Sequence, residues 1–165
     1  MGRGKVIVIS IDAMFNSDVE VMRKKKNLGR LFSNSSMVER VHCIYPTYTY
    51  PCHASIMTGC YPNRHGICHN ELFQINKDSH DWYWWAKDIK VPTMVDVAKE
   101  NGLTTATVCW PVMGGKNVAD YTIAEIWAPK REDDPTPRFD EANSPNVKHI
   151  FEKHKSELNH MKTPE

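Results

Sequence analysis

The hydrophobic and polar positions of the first 44 residues predict two strands separated by a helix. Lys5 to Ile11 (KVIVISI) is an almost continuous run of apolar, β-branched residues, typical of a strand covered on both faces in a parallel sheet. Ser17 and Asp18 are candidate N-caps for a helix from Val19 to about Lys26, and a short helical turn (NLGRLF) follows. Met37 to Ile44 alternates apolar and polar positions, which predicts a second strand.

The segment YPTYTYPCHASIMTG predicts a short helix with a threonine at its start. Pro51 suits the first turn of a helix whose body is CHASIMTG, and Gly59 suits its end. Pro46 favours an extended approach to that helix. Thr49 is therefore expected at the helix N-terminus.

A strand and a helix are expected again after residue 90. Residues 71–90 are polar and aromatic together, so we expect irregular structure with buried rings. Pro92 opens a helical segment (TMVDVAKEN) closed by Gly102, and Leu103 to Trp110 predicts the next strand. Alternation of strands and helices predicts an α/β fold with a parallel sheet and right-handed crossovers.

The last 46 residues predict a short strand, a connector and a helix. Residues 120–127 (DYTIAEIW) suit a short strand, and residues 130–145 predict a polar, proline-bearing connector. Residues 144–158 predict a capped amphipathic helix. Its apolar stripe would consist of Val147, Ile150, Phe151, His154 and Leu158. No strand follows this helix, so we expect a sheet that is incomplete on its C-terminal side, with an unpaired edge through which the chain could self-associate.

Length and charge narrow the class of partner. A chain of 165 residues predicts one domain, residues 1–165. Its 20 acidic and 21 basic residues nearly cancel, which argues against a binder of nucleic-acid polymers. We therefore expect a small-molecule partner, with no nucleic-acid polymer and no membrane.

The five cysteines favour a reducing compartment. Their odd number and the absence of a CxxC pair argue against a disulfide framework and against a cysteine-rich zinc finger. The apolar run near Met1 is too short for a signal segment and has no small-residue cleavage site after it. These features predict a cytoplasmic protein.

Two residues occupy positions where chemistry is common. Asp12 directly follows the first predicted strand, at the end where open α/β sheets bind ligands, although an aspartate at a turn or helix start would look the same. Thr49 lies where backbone N–H groups and the helix dipole favour an anion such as phosphate, although an ordinary helix cap is the alternative.

Energetics decide what a nucleophilic threonine would need. Forming an alkoxide near neutral pH from an alcohol that resembles water costs about 12 kcal/mol, while a helix dipole supplies up to about 2 kcal/mol. A bound divalent metal lowers the pKa of coordinated water to about 7, which is an effect of the required size. A nucleophilic Thr49 therefore implies a metal, and Asp12 is a plausible ligand.

Three motifs taken together resemble one family. The sequences IDAM, PTYTYPCHASIMTGCYPNRHGICHN and VPTMVDVAKENGLTTATVCWP closely resemble the nucleotide pyrophosphatase/phosphodiesterase branch of the alkaline phosphatase superfamily. The resemblance implies a three-layer, alkaline-phosphatase-like α/β fold with a mostly parallel central sheet flanked by helices. It also implies that residues 1–165 are the amino-terminal part of the catalytic domain.

The resemblance implies a role for three residues. Asp12 would bind one of two zinc ions, and Thr49 would bind the same zinc and attack phosphorus to form a phospho-threonine. Asn70 would donate a hydrogen bond to a phosphoryl oxygen. The implied activity is hydrolysis of phosphodiester or pyrophosphate bonds in nucleotide-type substrates. The family's other metal ligands lie on later strands that this sequence does not contain, so we expect the isolated 165-residue chain to be inactive.

The sequence is also compatible with other functions. The same site could hydrolyse phosphonates, or hydrolyse or transfer phosphomonoesters, and the chain could be a catalytically incompetent fragment or binding domain. Cys52 stands where many family members have asparagine. We interpret all eight histidines as solvated or structural, and the tryptophans at 82, 84 and 85 as core residues rather than a base-stacking pocket.

Overall fold

The chain divides into two compact units. The computed structural model describes residues 4–77, 81–126, 134 and 136–158, with side chains up to residue 154. The first unit is Met1–His42 and the second is Cys43–Glu165. The sequence interpretation that all 165 residues form one domain stays a prediction.

The two units differ in their secondary structure. The first unit contains helices α1 (Asn16–Arg23) and α2 (Lys26–Ser33). The second contains α3 (Thr49–Thr58), α4 (Pro62–His65), α5 (Met94–Glu100), β1 (Ala106–Val108), β2 (Tyr121–Ile123), α6 (Thr136–Ala142) and α7 (Lys148–Leu158). Two short 3₁₀ helices lie at Ala86–Asp88 and Pro145–Val147.

Both predicted helices of the first unit are present, but the predicted caps are wrong. Helix α1 begins at Asn16, with Phe15 as its N-cap residue. Asp18 acts from inside the first turn, where its Oδ2 accepts the Phe15 N–H at 2.8 Å. A carboxylate at this position satisfies one of the unpaired N–H groups and complements the dipole, so the helix can start three residues before Val19.

The two strands predicted before residue 45 do not form. Residues 5–11 and 37–44 have no strand assignment, and Val6, Ile7 and Ile9 are 87%, 83% and 76% exposed. A strand is completed by backbone hydrogen bonds to a neighbouring strand, and the described residues of the first unit contain none. The apolar run therefore indicates a segment suited to burial, which this unit does not bury.

Helix α3 is the structural centre of the second unit and confirms the expected helix. It ends where Gly59 adopts a left-handed conformation (φ 64°), with its N–H donating to Ser55 O at 2.8 Å. Tyr50 and Ala54 belong to one buried apolar cluster, together with Ile67 and Val112. Met57 belongs to a second cluster, with Val95, Met113 and Ala119. Burial on both sides fixes the position of this helix.

Strands β1 and β2 form a small parallel sheet. Ala106 pairs with Tyr121 and Val108 pairs with Ile123. This confirms strands near 103–110 and 120–127, although each is shorter than predicted. The described residues thus form a mixed helix and strand architecture compatible with the expected α/β fold. Self-association through a sheet edge stays a prediction.

Helix α5 is confirmed with a capping box. Thr93 is the N-cap: its Oγ1 accepts the Asp96 N–H at 3.2 Å, and Asp96 Oδ2 accepts the Thr93 N–H at 2.7 Å. The sequence pattern predicts Pro92 in the first turn of this helix. In the structure Pro92 instead lies directly before the N-cap residue, Thr93.

The predicted connector 130–145 contains a helix, α6, so that prediction is wrong for the described part of the segment. Phe139 and Ala142 are buried, and the Phe139 ring stacks on the Phe151 ring of α7 at 3.8 Å between centroids. Two apolar side chains three residues apart can cover one face of a short helix, and packing against α7 outweighs the polar composition around them.

The amphipathic helix predicted at 144–158 is present as a 3₁₀ turn continuing into α7. Val147 and Phe151 are buried as expected, whereas Ile150 is 40% exposed and does not belong to the buried stripe. The side chain of Leu158 lies outside the described residues.

Residues 71–90 are irregular with buried rings, as predicted. Trp84 is 5% exposed, and its ring stacks on that of Trp82 at 5.9 Å between centroids. Both rings also contact Tyr50 edge-on. These two tryptophans are therefore part of the core around α3. No helix among the described residues is long and apolar enough to cross a membrane.

His65 should make the stability of the second unit depend on pH. It is fully buried; its Nδ1 accepts the Ile67 N–H at 3.1 Å and its Nε2 lies 2.9 Å from Ser55 Oγ. Burial lowers the pKa of His65, so the unfolded chain takes up a proton first as the pH falls. The contribution of His65 to the free energy of unfolding is complete above the unfolded-state pKa of about 6.5. Below that pH this contribution is lost, at up to about 1.4 kcal/mol per pH unit.

Urea unfolding at about pH 7.5 and about pH 5.5 checks this expectation. The unfolding free energy of the wild type should fall with pH, and that of His65→Gln should change less because the titrating group is absent. Equal pH dependence of the two proteins would contradict the assignment.

Candidate active site

Thr49 is the first residue of α3, but it is not a helix cap. The N-cap residue is Tyr48, and no side chain caps this helix end. Among the described residues the Thr49 hydroxyl makes no hydrogen bond, and the residue is half-buried. The alternative reading of Thr49 as an ordinary cap is therefore wrong, and its Oγ1 is available for another partner.

Asn70 lies against the same helix end. Its Oδ1 accepts the Tyr50 N–H at 2.9 Å, and its main-chain oxygen accepts the Tyr83 N–H at 2.9 Å. Because the oxygen edge of the amide is used by a backbone donor, the NH₂ edge remains as a donor. The Asn70 side chain is thus hydrogen-bonded to the residue that directly follows Thr49, which brings Thr49 and Asn70 together at the start of α3.

The first turn leaves few donors at this end of the helix. Pro51 has no N–H, the Cys52 N–H donates to Tyr48 O at 3.1 Å, and the Tyr50 N–H is taken by Asn70. No partner of the Thr49 N–H is found in the part of the chain that the structure describes. One backbone donor therefore accompanies the Thr49 hydroxyl, and the dipole of α3 favours negative charge there.

His53 and Trp110 hold the first turn of α3 in place. His53 Nδ1 donates to Thr49 O at 2.8 Å, since a carbonyl oxygen can only accept. Trp110, two residues beyond β1, donates through Nε1 to His53 O at 3.4 Å, and the two rings meet edge-on at 5.2 Å. These contacts fit the structural role expected for His53, as the hydrogen bonds of His65 do for that residue.

Tyr50 connects α3 with the end of the second strand. Its side chain is buried, and burial followed by the charge of Glu125 raises the pKa of Tyr50 well above its ordinary value. The Tyr50 hydroxyl makes no hydrogen bond among the described residues, although Glu125 is close enough to contribute to the raised pKa.

Glu125 was missed by the sequence reasoning. It lies two residues after β2, at the carboxyl end of a parallel strand, which is the same positional signal that identified Asp12. The sequence pattern predicts a strand that extends past Glu125 to residue 127, so it does not place Glu125 at a strand end.

Asp12 lies in the first unit, exposed, in a turn before α1. The second unit brings Thr49 and Asn70 together, and the pairing of Asp12 with Thr49 stays a prediction. A free hydroxyl and an exposed carboxylate are oxygen donors suited to a divalent cation. Catalytic zinc sites usually have three protein ligands, however, and the described residues contain no group of three or more His, Cys, Asp or Glu that could hold a metal ion.

A family model matches almost the whole chain. The model described as type I phosphodiesterase / nucleotide pyrophosphatase matches residues 6–161. The match includes all three residues that the sequence singled out.

Curated relatives agree with this match. A bis(5'-adenosyl)-triphosphatase of Bos taurus is 29% identical over 114 residues, which cover 65% of this chain and 24% of the relative. Ectonucleotide pyrophosphatase/phosphodiesterase family member 3 of Bos taurus is 36% identical over 104 residues, covering 56% and 11%. Venom phosphodiesterase 2 of Crotalus adamanteus is 28% identical over 94 residues, covering 52% and 11%. The matched part spans about a quarter or less of each relative.

Two substitutions at Asn70 should separate its acceptor from its donor. Asn70→Ala removes the acceptor of the Tyr50 N–H and should lower the unfolding free energy by about 1 kcal/mol. Asn70→Asp keeps an acceptor oxygen and places a negative charge at a helix N-terminus, so its stability should stay near that of the wild type. Urea unfolding at neutral pH measures both, and equal destabilisation by the two variants would contradict this role.

Proposed function

This chain belongs to the type I phosphodiesterase/nucleotide pyrophosphatase family, and from that premise we propose that it carries the nucleophilic half of a phosphodiester- or pyrophosphate-hydrolysing site. The observation that carries the proposal is that the Thr49 hydroxyl, at the start of α3, makes no capping hydrogen bond, while the Asn70 amide is fixed beside it. The names of the relatives support nucleotide substrates, and a dinucleoside polyphosphate is a reasonable first choice for an assay.

In the proposed reaction Thr49 attacks phosphorus. Thr49 Oγ1 loses its proton to solvent and forms a bond to phosphorus, the bond from phosphorus to the leaving-group oxygen breaks, and the leaving group departs and takes up a proton from solvent. Water then cleaves the phospho-threonine, which restores the hydroxyl and releases the phosphate monoester. Splitting the displacement into two steps is the usual advantage of a covalent nucleophile.

Two donors are positioned for the charge that develops on the phosphoryl oxygens. The Asn70 NH₂ group is oriented by the Tyr50 N–H on its other edge. The Thr49 N–H lies at the positive end of the α3 dipole. Because both are held by backbone contacts, they cost little reorganisation when the charge appears.

The positioning of Thr49 depends on residues that do not touch substrate. His53 holds the Thr49 carbonyl, and Trp110 holds the His53 carbonyl. Together with the burial of Tyr50, these contacts fix the backbone from which Oγ1 projects. A nucleophile held in this way avoids much of the orientational entropy of attack.

The family resemblance supports two divalent metal ions, proposed to be zinc. Asp12 and Thr49 would contribute ligands to one of them, with the remaining ligands outside this sequence. When bound, such a cation supplies the electrostatic stabilisation of an alkoxide that a helix dipole is too weak to give. We accordingly propose that the isolated 165-residue chain has negligible turnover.

We also propose the three-layer architecture of the alkaline phosphatase superfamily for the whole domain. The small parallel sheet is compatible with it, and the exposed, strand-like apolar segment 5–11 suits a central strand once neighbouring strands are present. Hydrolysis of phosphonates or phosphomonoesters at the same site remains the alternative activity. A substrate panel with zinc and manganese separates these activities.

Removal of the Thr49 hydroxyl should abolish hydrolysis. In the full-length protein, Thr49→Ala should lower kcat for a chromogenic phosphodiester by roughly a thousandfold or more, because the covalent step is lost. Thr49→Ser keeps a hydroxyl on the same backbone and should retain measurable turnover. Hydrolysis by Thr49→Ala at the wild-type rate would show that the nucleophile is another group.

The Asn70 variants test the proposed donor. Both Asn70→Ala and Asn70→Asp should lower kcat by roughly 100- to 1,000-fold, because each loses the NH₂ group. The loss in Asn70→Asp, whose fold is expected to be intact, would be due to chemistry and not to stability. Wild-type kcat in Asn70→Asp would exclude the amide as a donor to the reacting group.

A further inference from the structure

The thiols of Cys43 and Cys52 lie side by side in the second unit. Their sulfur atoms are 3.2 Å apart, and neither residue is in a disulfide bond. A disulfide bond is about 2.05 Å long, so the sulfurs need to approach by about 1 Å to form one. No other pair of cysteine sulfurs comes this close among the described residues.

From this contact we infer that Cys43 and Cys52 form a reversible disulfide. The two residues differ in how firmly they are held. Cys52 lies in the first turn of α3, where its N–H donates to Tyr48 O at 3.1 Å and the surrounding helix is packed on two core clusters. Cys43 lies in an exposed segment without regular structure. The closing movement can therefore be made by the Cys43 segment while α3 stays in place.

Cys60 offers a matched comparison because it flanks the other end of the same helix. It follows the C-terminal Gly59 and is eight residues beyond Cys52. A rise of about 1.5 Å per residue places the two about 12 Å apart along the helix, beyond the Cα separation of about 7 Å that a disulfide tolerates. Cys60 is therefore expected to stay reduced when Cys43 and Cys52 are joined.

The oxidation balances with a low-molecular-weight disulfide as the oxidant. The thiolate of Cys43, the more exposed of the pair, attacks one sulfur of the oxidant, forming a mixed disulfide and releasing one small thiolate. The thiolate of Cys52 then attacks the Cys43 sulfur and releases the second small thiolate. The protein loses two electrons and two protons, and the oxidant becomes two thiol molecules.

The loop closed by this bond contains Thr49. The bond would tie the segment that leads into α3 to the first turn of the helix. If the proposed function is correct, oxidation would alter the approach to the nucleophile. The disulfide itself is inferred from the sulfur contact alone and does not depend on that function.

The test is to map the cross-link after equilibration with oxidised glutathione and blocking of the remaining thiols with iodoacetamide. Trypsin leaves both cysteines in one peptide, since the flanking basic residues are Arg40 and Arg64. Tyr48 is the tyrosine between them that is not followed by proline, so chymotrypsin should open the loop there. The wild type should then give two peptides joined through Cys43 and Cys52, which separate on addition of dithiothreitol.

The variants decide between outcomes. Cys60→Ser should keep the cross-link, while Cys43→Ser and Cys52→Ser should each abolish it and leave the remaining cysteine as a glutathione adduct or alkylated. Alkylation of both cysteines in the wild type would overturn the inference, as would a bond from either of them to Cys60. Neither result would bear on the hydrolytic role of Thr49, which is measured separately.

Discussion

The hydrogen bond from the Tyr50 N–H to Asn70 Oδ1 organises the rest of this site. It joins the first turn of α3 to a residue 20 positions later in the chain, and it orients the Asn70 amide in the same contact. With Pro51 lacking an N–H, the helix end presents the Thr49 N–H and hydroxyl without a competing side-chain cap. One bond therefore satisfies a helix donor and leaves the Asn70 NH₂ group as a donor near the helix N-terminus.

The bond can do this because α3 is fixed by burial on both sides. Tyr50 and Ala54 pack in one core cluster and Met57 in the other, so the helix is not a surface element that could shift or fray. Fully burying an apolar side chain is worth about 1.5–3 kcal/mol, against about 1 kcal/mol for a typical hydrogen bond. The core thus supplies most of the rigidity, and polar contacts such as His53 with Thr49 supply the direction.

The parts of the fold that sequence patterns predicted well are those with strong local signals. Helices α3 and α5 have their ends marked by Gly59 and by the Thr93 capping box, which act within a few residues. The strand predicted at residues 5–11 does not form, because a strand needs a neighbouring strand for its backbone hydrogen bonds and a local sequence pattern does not show whether one is present. Helix α6 was missed because its stability comes from the stacking of Phe139 on α7, a contact between elements.

The sequence by itself determined that Thr49 stands at a helix N-terminus and that a family motif surrounds it, since proline placement and motif spacing are local properties. Only the tertiary structure decided that this threonine is not a cap, that Asn70 is locked against the next backbone N–H, and that the sulfurs of Cys43 and Cys52 meet. These contacts join groups separated along the chain, and their distances depend on how the helix and loops pack together.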